Sequence, residues 1–308
     1  MNEQFKLDLA NLSRTKLFKI AGEKDIELKK SMSKDKIIDR LFEEIDPDEL
    51  EEISKDYIYA GRTSLSIWKY TPEENTENRI KKGNLPEILK FMCDGENPFE
   101  IDRRPEINET PQIISAKMLD DSICRIQFVS LGRVKKIREG YELRIIHDTI
   151  FIDALLNLDN RTLEVRTEHS AAAKSAETFF KNLNKRKGYE HGFRQIEIDR
   201  ATVIKLKGEL NGGIRDHTGK VISGKSVYDS VKVKGSPGIK DLSEEKEFQK
   251  DLEGMDTTAA GIRFISPVTG DRVNIEVGIK SSSIFFRSHV SEQDIKFVCD
   301  KLIGISRK

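Results

Sequence analysis

The chain lacks most of what would mark an exported, disulfide-stapled or membrane-spanning protein. Its 308 residues hold three cysteines, Cys93, Cys124 and Cys299, far apart and odd in number, with no C-x-x-C pair. That pattern excludes a disulfide framework and a zinc knuckle, and a reducing cytoplasm is the expected location. No apolar run approaches the roughly 18 residues that cross a bilayer, so no membrane partner is expected. The opening MNEQFKLDLANLS has no cationic segment followed by an apolar one, and no export signal is read there. The five histidines (His147, His169, His191, His217 and His289) show no H-x-x-x-H spacing, so neither a metal nor another cofactor is expected. No serine sits in a nucleophile-elbow pattern. Aromatics make up 7% of the chain, and Trp68 and the phenylalanines are assigned to the core.

What is present is charge. Charged residues make up 34% and hydrophobic ones 37%, a globular composition with apolar material for an ordinary core. The formal net charge is zero, but unevenly spread. Residues 41–60 carry eight acids against one base, residues 181–240 carry 14 Lys and Arg against six acids, and residues 241–260 carry seven acids against two bases. A neutral total therefore hides a basic middle between acidic segments, a hint at a polyanionic partner.

Periodicity divides the chain. Leu12, Leu17, Ile20, Ala21 and Ile26 fall at helical spacing behind an N-cap at Ser13, and Ser33 caps a second helix with Ile37, Ile38 and Leu41 as its apolar face. A third helix start is read at Asp46-Pro47-Asp48-Glu49. From Tyr57 the pattern changes. Strands are expected at Thr63–Tyr70, Ile113–Met118, Ser122–Leu131, Tyr141–Ile152 and Thr162–Thr167, with a short helix at Leu85–Cys93 and a longer one at Ser170–Leu183. The second half restarts at Phe193 with an alternating run, followed by a glycine-broken basic stretch to Gly238 and a helix at Leu242–Leu252. Strands follow at Gly261–Ile265, Arg272–Ile279 and Ser283–Arg287, and a Ser291/Asp294 capping box opens a last helix through Leu302. The expected fold class is α+β. A small helical module with an acidic end (1–55) precedes a larger, mainly antiparallel sheet domain in two halves (56–188 and 189–308).

The halves echo each other. Leu163-Glu164-Val165-Arg166-Thr167 precedes a helix ending Phe179-Phe180-Lys181-Asn182-Leu183, and Ile284-Phe285-Phe286-Arg287-Ser288 precedes one ending Val298-Cys299-Asp300-Lys301-Leu302. A duplicated sheet-plus-helix unit resembles the arrangement in saddle-shaped nucleic-acid binders of the TATA-binding type.

The stretch GKVISGKS, Gly219 to Ser226, spells G-x-x-x-x-G-K-[ST]. That motif needs a buried strand before it and a helix after it, so that amides and the helix dipole hold phosphate. Here the residues before Gly219 are too polar for a central parallel strand, and Ser226–Val233 alternates like a strand. The match is read as accidental, with Gly224 serving the turn of a basic hairpin.

Residues 10–42 carry a different signal. A first helix bearing Leu12, Leu17 and Ile20 precedes an extended segment and then Ser33-Lys34-Asp35-Lys36-Ile37-Ile38-Asp39-Arg40-Leu41. This resembles the helix–extended-loop–helix family of SAP modules and the N-terminal domain of terminator Rho. The chain has Asp25-Ile26-Glu27 where that family usually has a glycine. The resemblance implies contact with DNA or RNA backbone through Lys29, Lys30, Lys34, Lys36 and Arg40. A helix start with clustered lysines offers amides and cations to phosphates in any case.

Three functions compete. The first is non-catalytic nucleic-acid binding, of DNA above RNA, with Lys220, Lys225, Lys232 and Lys234 on the basic hairpin joining the N-terminal set. Only Tyr228 interleaves with those lysines, so duplex phosphates fit better than stacked single-stranded bases. The second is a Mg²⁺-dependent nuclease in which Asp153 and Glu164 hold the metal and Arg166 takes the place of the usual lysine. The third is a protein–protein scaffold, self-associating or a subunit of a larger complex, that uses the charged segments. The first, without catalysis, is the expected function.

Overall fold

The structure is a computed structural model that describes residues 9, 12, 14–50, 53, 63–72, 80–139, 142–167, 169–186, 191–221, 230–252, 255–287 and 290–306. The fold is α+β, with an antiparallel sheet. Two compact units divide it, one built from 64–197 with 281–283, the other from 1–63, 198–280 and 284–308.

The first unit contains β1 (Ser64–Pro72), α3 (Leu85–Met92), β2 (Gln112–Met118), β3 (Ile123–Glu139), β4 (Glu142–Asn157), β5 (Thr162–Arg166), α4 (His169–Asn184) and β6 (His191–Gln195). The strands pair in the order β2-β3-β4-β5-β1-β6. On α4 the buried positions Ala172, Ala176, Phe179, Phe180 and Leu183 recur every three or four residues, which makes one apolar stripe. That stripe shares a core with alternate strand residues, Ile126 and Phe128, Ile152 and Ala154, and Leu163 and Val165. Phe180 stacks on Phe193, 4.7 Å between centroids. Burying each such phenylalanine contributes about 1.5–3 kcal/mol.

The second unit begins with a helical hairpin, α1 (Arg14–Glu23) and α2 (Lys34–Glu44). Ser33 caps α2 by accepting from the Lys36 N–H, and Leu17, Ile20, Ile37, Ile38 and Leu41 make its core. The end of α1 is a Schellman motif, with Asp25 N–H donating to Gly22 O and Ile26 N–H to Ala21 O. Asp25 takes the left-handed backbone, φ +55°, where a glycine would be usual. The N-cap expected at Ser13 lies outside the described residues. The third start is formed, with 47–50 helical and Asp46 Oδ1 accepting from Asp48 N–H at 3.0 Å.

The rest of this unit runs α5 (Arg200–Glu209), β7 (Gly213–Val221), β8 (Ser230–Lys234), a 3₁₀ turn (Leu242–Glu244), α6 (Lys246–Leu252), β9 (Met255–Ile265), β10 (Arg272–Gly278), β11 (Ser283–Phe286, whose first residue falls in the first unit) and α7 (Glu292–Ser306). Its strands pair β8-β7-β9-β10 and continue to β11. Ser291 and Asp294 form the expected capping box, Asp294 N–H to Ser291 Oγ at 3.1 Å and Ser291 N–H to Asp294 Oδ2 at 3.4 Å. Helix α5 and the start of strand β7 occupy what the sequence reads as a glycine-broken basic stretch, and β7 pairs antiparallel with β8. The helix is specified by Asp199, whose carboxylate accepts from the Thr202 N–H at 2.7 Å, and by Val203, Leu206 and Leu210. The extent of β7 is not legible because its buried face carries His217 and Gly219 where apolar residues would show the alternation.

The same series, strand–helix–four strands–helix, occurs twice: β1-α3-β2-β3-β4-β5-α4 and β6-α5-β7-β9-β10-β11-α7. Details repeat with it. Helix α3 ends with Asp94 at φ +54° and Gly95 N–H donating to Lys90 O; α5 ends with Asn211 at φ +49° and Gly212 N–H donating to Lys207 O. The turns 158–161 and 279–282 each end in a left-handed residue, Arg161 and Ser282. Each opens with an N–H donated at 2.8 Å to the preceding hairpin strand, Leu158 to Ser122 O and Ile279 to Thr258 O. The first strand of the second series, β6, pairs with the first strand of the first, β1. Strand β8, the 3₁₀ turn and α6 are an insertion peculiar to the second series.

Candidate nucleic-acid interface

Side chains alternate across a strand, so register decides which cations share a face. Thr218 lies opposite Lys232 and Lys220 opposite Ser230, with Asp216 opposite Lys234. Lys220, Lys232 and Lys234 therefore stand on one face of the β7–β8 hairpin, all three exposed. Register carries the same face onto Gly261 and Arg263 of β9, and onto Arg272, Asn274 and Glu276 of β10. Exposed Ile265 and Phe285 belong to it as well.

The acids on this face are taken. Asp216, 8% exposed at its side chain, receives Arg287 Nη2 at 2.8 Å, and Arg287 Nη1 bonds its other oxygen. The same guanidinium bonds Glu276. Lys232 Nζ stands 3.9 Å from each carboxylate. Burial would raise the Asp216 pKa, but the hydrogen bonds and charge of Arg287 outweigh it and the net shift is downward. Hydrogen bonding to Asp216, opposed by burial and helped by Glu276, raises Arg287 further above its ordinary value. The cluster thus holds two acids and two bases, and the cations beyond it are uncompensated by it. Arg263 reaches Asn274 Oδ1 at 2.7 Å. Partial burial, and then the nearby charges of Arg215 and Arg272, lower its pKa, so three arginines gather at this end of the face.

Glycine makes the cluster possible. A Cβ on Gly261 would lie 2.5 Å from Asp216 Oδ2 and 2.6 Å from Oδ1, inside the space the carboxylate fills. The insertion is pinned from behind. Asp241 accepts from Lys207 Nζ at 2.7 Å, Ser243 N–H at 2.9 Å and Ile214 N–H at 3.1 Å. On the buried face of β7, His217 Nε2 meets Thr257 Oγ1 at 2.9 Å, and its ring stands edge-on to Phe248 of α6.

Gly219 and Lys220 of the G-x-x-x-x-G-K-S match lie inside strand β7. Its remainder from Ile222 onward, including Gly224 and Lys225, lies outside the described residues, and the next described element is the strand β8, not a helix. In the N-terminal module, Lys29 and Lys30 sit between α1 and α2, with Lys34 and Lys36 in the first turn of α2. Lys29, Lys30 and Lys36 are exposed, while Arg40 is engaged by Glu43 and Glu44 of its own helix.

Asp153, Glu164 and Arg166 share a face of the first unit, with Asp153 opposite Arg166. Each carboxylate already has a guanidinium, Arg125 Nε to Asp153 Oδ1 at 2.7 Å and Arg166 Nε to Glu164 Oε1 at 2.6 Å. Gln127 Nε2 adds a third donor at 3.2 Å from Asp153. A metal between these acids would have to displace arginines. Among the described residues no three His, Cys, Asp or Glu side chains are grouped to hold a metal, and no helix is long and apolar enough to cross a membrane.

Sequence reading finds Lys220, Lys232 and Lys234 but not Arg215 of the same strand β7, nor Arg263, Arg272 and Arg287, which lie on or beside strands remote in the chain. Compared with known proteins, the chain matches no family model and is similar to no curated sequence.

Proposed function

We propose that this chain is a non-catalytic nucleic-acid-binding protein, DNA in the first instance, that contacts phosphates with low sequence specificity. The observation that carries the reading is the joint placement of Lys220, Lys232, Lys234, Arg263 and Arg272 on one sheet face, where Arg287 and Lys232 take Asp216 and Glu276 and Lys280 takes Asp256, opposite Lys220. Phosphates bind to cations gathered on one face, and counterion release then supplies most of the affinity. The exposed lysines of the N-terminal helical hairpin, which resembles SAP modules, add a second phosphate-contacting set. Two weak sets on one chain bind more tightly than either alone. The arginine-bound Asp153 and Glu164 do not favour the nuclease reading.

The test is a fluorescence-anisotropy titration of labelled duplex and single-stranded DNA at two salt concentrations with Mg²⁺ chelated. Lys232→Glu with Lys234→Glu should weaken duplex binding about tenfold or more and reduce the salt slope by about two. An unchanged slope would remove the hairpin's role. No binding even at low salt would end the nucleic-acid reading and leave a protein partner for the charged face.

A further inference from the structure

Strands β3 and β4 outrun the sheet that holds them. Strand β2 pairs with β3 only at 124–129, and β5 pairs with β4 only at 153–157. Beyond those rungs the two strands pair only with each other among the described residues, from Ser130↔Ile150 out to Glu139↔Glu142. The result is a two-stranded arm. Nine residues of strand, 131–139, span about 30 Å. The arm leaves the sheet at a bulge between Leu131 and Val134, and bulges bend and twist the strand that carries them. Gly132 is required there, because a Cβ would stand 2.7 Å from Ile150 Cγ1 and 3.0 Å from Asp148 O.

One face of the arm holds apolar side chains open to solvent among cationic and polar ones. Register places Val134, Lys136 and Arg138 with Ile145, His147 and Thr149, and the same face continues to Phe151 at the arm's base, opposite Val129. Val134 is 53% exposed, Ile145 60% and Phe151 65%. Lys136 and Arg138 are exposed beside them. An isolated two-stranded ribbon is marginal in water, and an exposed apolar row on it marks a contact surface. Charge selects the partner. Segment 131–149 carries five Lys and Arg against three acids, so a polyanion is complementary to it and a basic protein is not.

We propose that the β3–β4 arm lies in a groove of duplex nucleic acid, its apolar row facing the base edges and Lys136 and Arg138 the flanking phosphates. The proposal rests on the nucleic-acid reading above and assigns it a second, shape-selective contact. The major groove of B-form DNA, about 12 Å wide, admits a two-stranded ribbon. A ribbon gains nothing comparable from a single strand. The arm therefore supplies preference for duplex, where the open basic face alone would take any phosphate backbone.

The experiment titrates the full chain against a labelled duplex and its separated strand, at two salt concentrations, by anisotropy. Lys136→Glu with Arg138→Glu should weaken duplex binding about tenfold or more, reduce its salt slope by about two and erase the preference over single strand. Val134→Ser, Ile145→Ser and Phe151→Ser together should also weaken duplex binding, with the slope unchanged. Because all five side chains are exposed, both variants should melt at the wild-type temperature. If both bind duplex as the wild type does while Lys232→Glu/Lys234→Glu binds weakly, the arm proposal falls and the basic face stands. If the wild type binds no nucleic acid, both fall together. If the serine variant alters only a sedimentation-measured dimer, the arm pairs with a second copy and the proposal is overturned.

Discussion

Position 261 has no side chain, and that decides where Asp216 can go. A carboxylate buried in a sheet face is costly unless it is paired and hydrogen-bonded. Here the missing Cβ lets the Asp216 oxygens approach the β9 backbone while Arg287 receives both of them. Gly261→Ala puts an atom about where an oxygen already is. Strand or carboxylate must shift, at a cost of about 1–3 kcal/mol, measurable by urea denaturation. On the nucleic-acid reading the same substitution should weaken DNA binding, since an Asp216 displaced from Arg287 would hold Lys232 more closely than the present 3.9 Å. Unchanged stability would show that the cluster tolerates looser geometry than the bonds to Arg287 imply. In two of the thiols burial outweighs what opposes it. Desolvation pushes Cys93 up to about 11 and Cys124 up to about 12, despite Arg103 beside the former and a backbone hydrogen bond to the latter. Both are inert at neutral pH on that account.

Elements with strong local signals are legible in the sequence, and those held by tertiary context are not. Helix α2 announces itself through Ser33 and the spacing of Ile37, Ile38 and Leu41, and α7 through the Ser291/Asp294 box. Strands β1, β2, β5, β10 and β11 alternate cleanly and lie within a residue or two of where that alternation puts them. Strand β7 fails the same test because His217 and Gly219 occupy its buried face, the histidine accommodated by Thr257 and Phe248. The arm is longer than its pattern, which breaks at the bulge after Leu131. As for the site, the hairpin lysines can be read from alternate spacing, but the β9 and β10 arginines join them only through register. The end of α1 is set by backbone conformation at one residue. Asp25 stands where the resembling family has glycine, and the chain there is left-handed. A left-handed non-glycine residue costs about 1 kcal/mol, less for Asp than for bulkier side chains. Asp25→Gly should therefore stabilise the protein by about 0.5 kcal/mol, seen as a small rise in melting temperature. A loss of stability would mean that the Asp25 side chain makes a contact worth more than the backbone strain.

Across the molecule, chain order and spatial grouping part company. The first 63 residues group with 198–280 and 284–308, not with the segment that follows them. The duplicated series begin with strands that pair with each other, β1 with β6. One carboxylate does much to fasten the N-terminal hairpin to the β9–β10 turn. Asp271 receives Lys16 Nζ at 2.8 Å on one oxygen and Lys19 Nζ at 2.7 Å on the other, while Lys19 also reaches Thr269 O. Burial would raise the Asp271 pKa; hydrogen bonds from the two lysines, and then their charges, bring it below the ordinary 3.8. A carboxylate depressed in the folded state stabilises above its unfolded pKa, and that contribution fades as pH falls through the folded value. With Asp271 about one-third exposed, solvent screening limits the effect to under about 1 kcal/mol. Asp271→Asn should thus lower stability slightly at pH 7 and in low salt, and match the wild type once the pH falls below the depressed pKa of the folded Asp271. Hydrogen exchange should locate the loss, with amides of α1 and α2 exchanging faster in the variant than those of α7. Equal acceleration throughout the second unit would mean that the hairpin and the sheet open as one. In that case the N-terminal lysines and the basic sheet face would meet a nucleic acid as a single rigid surface, not as two tethered ones.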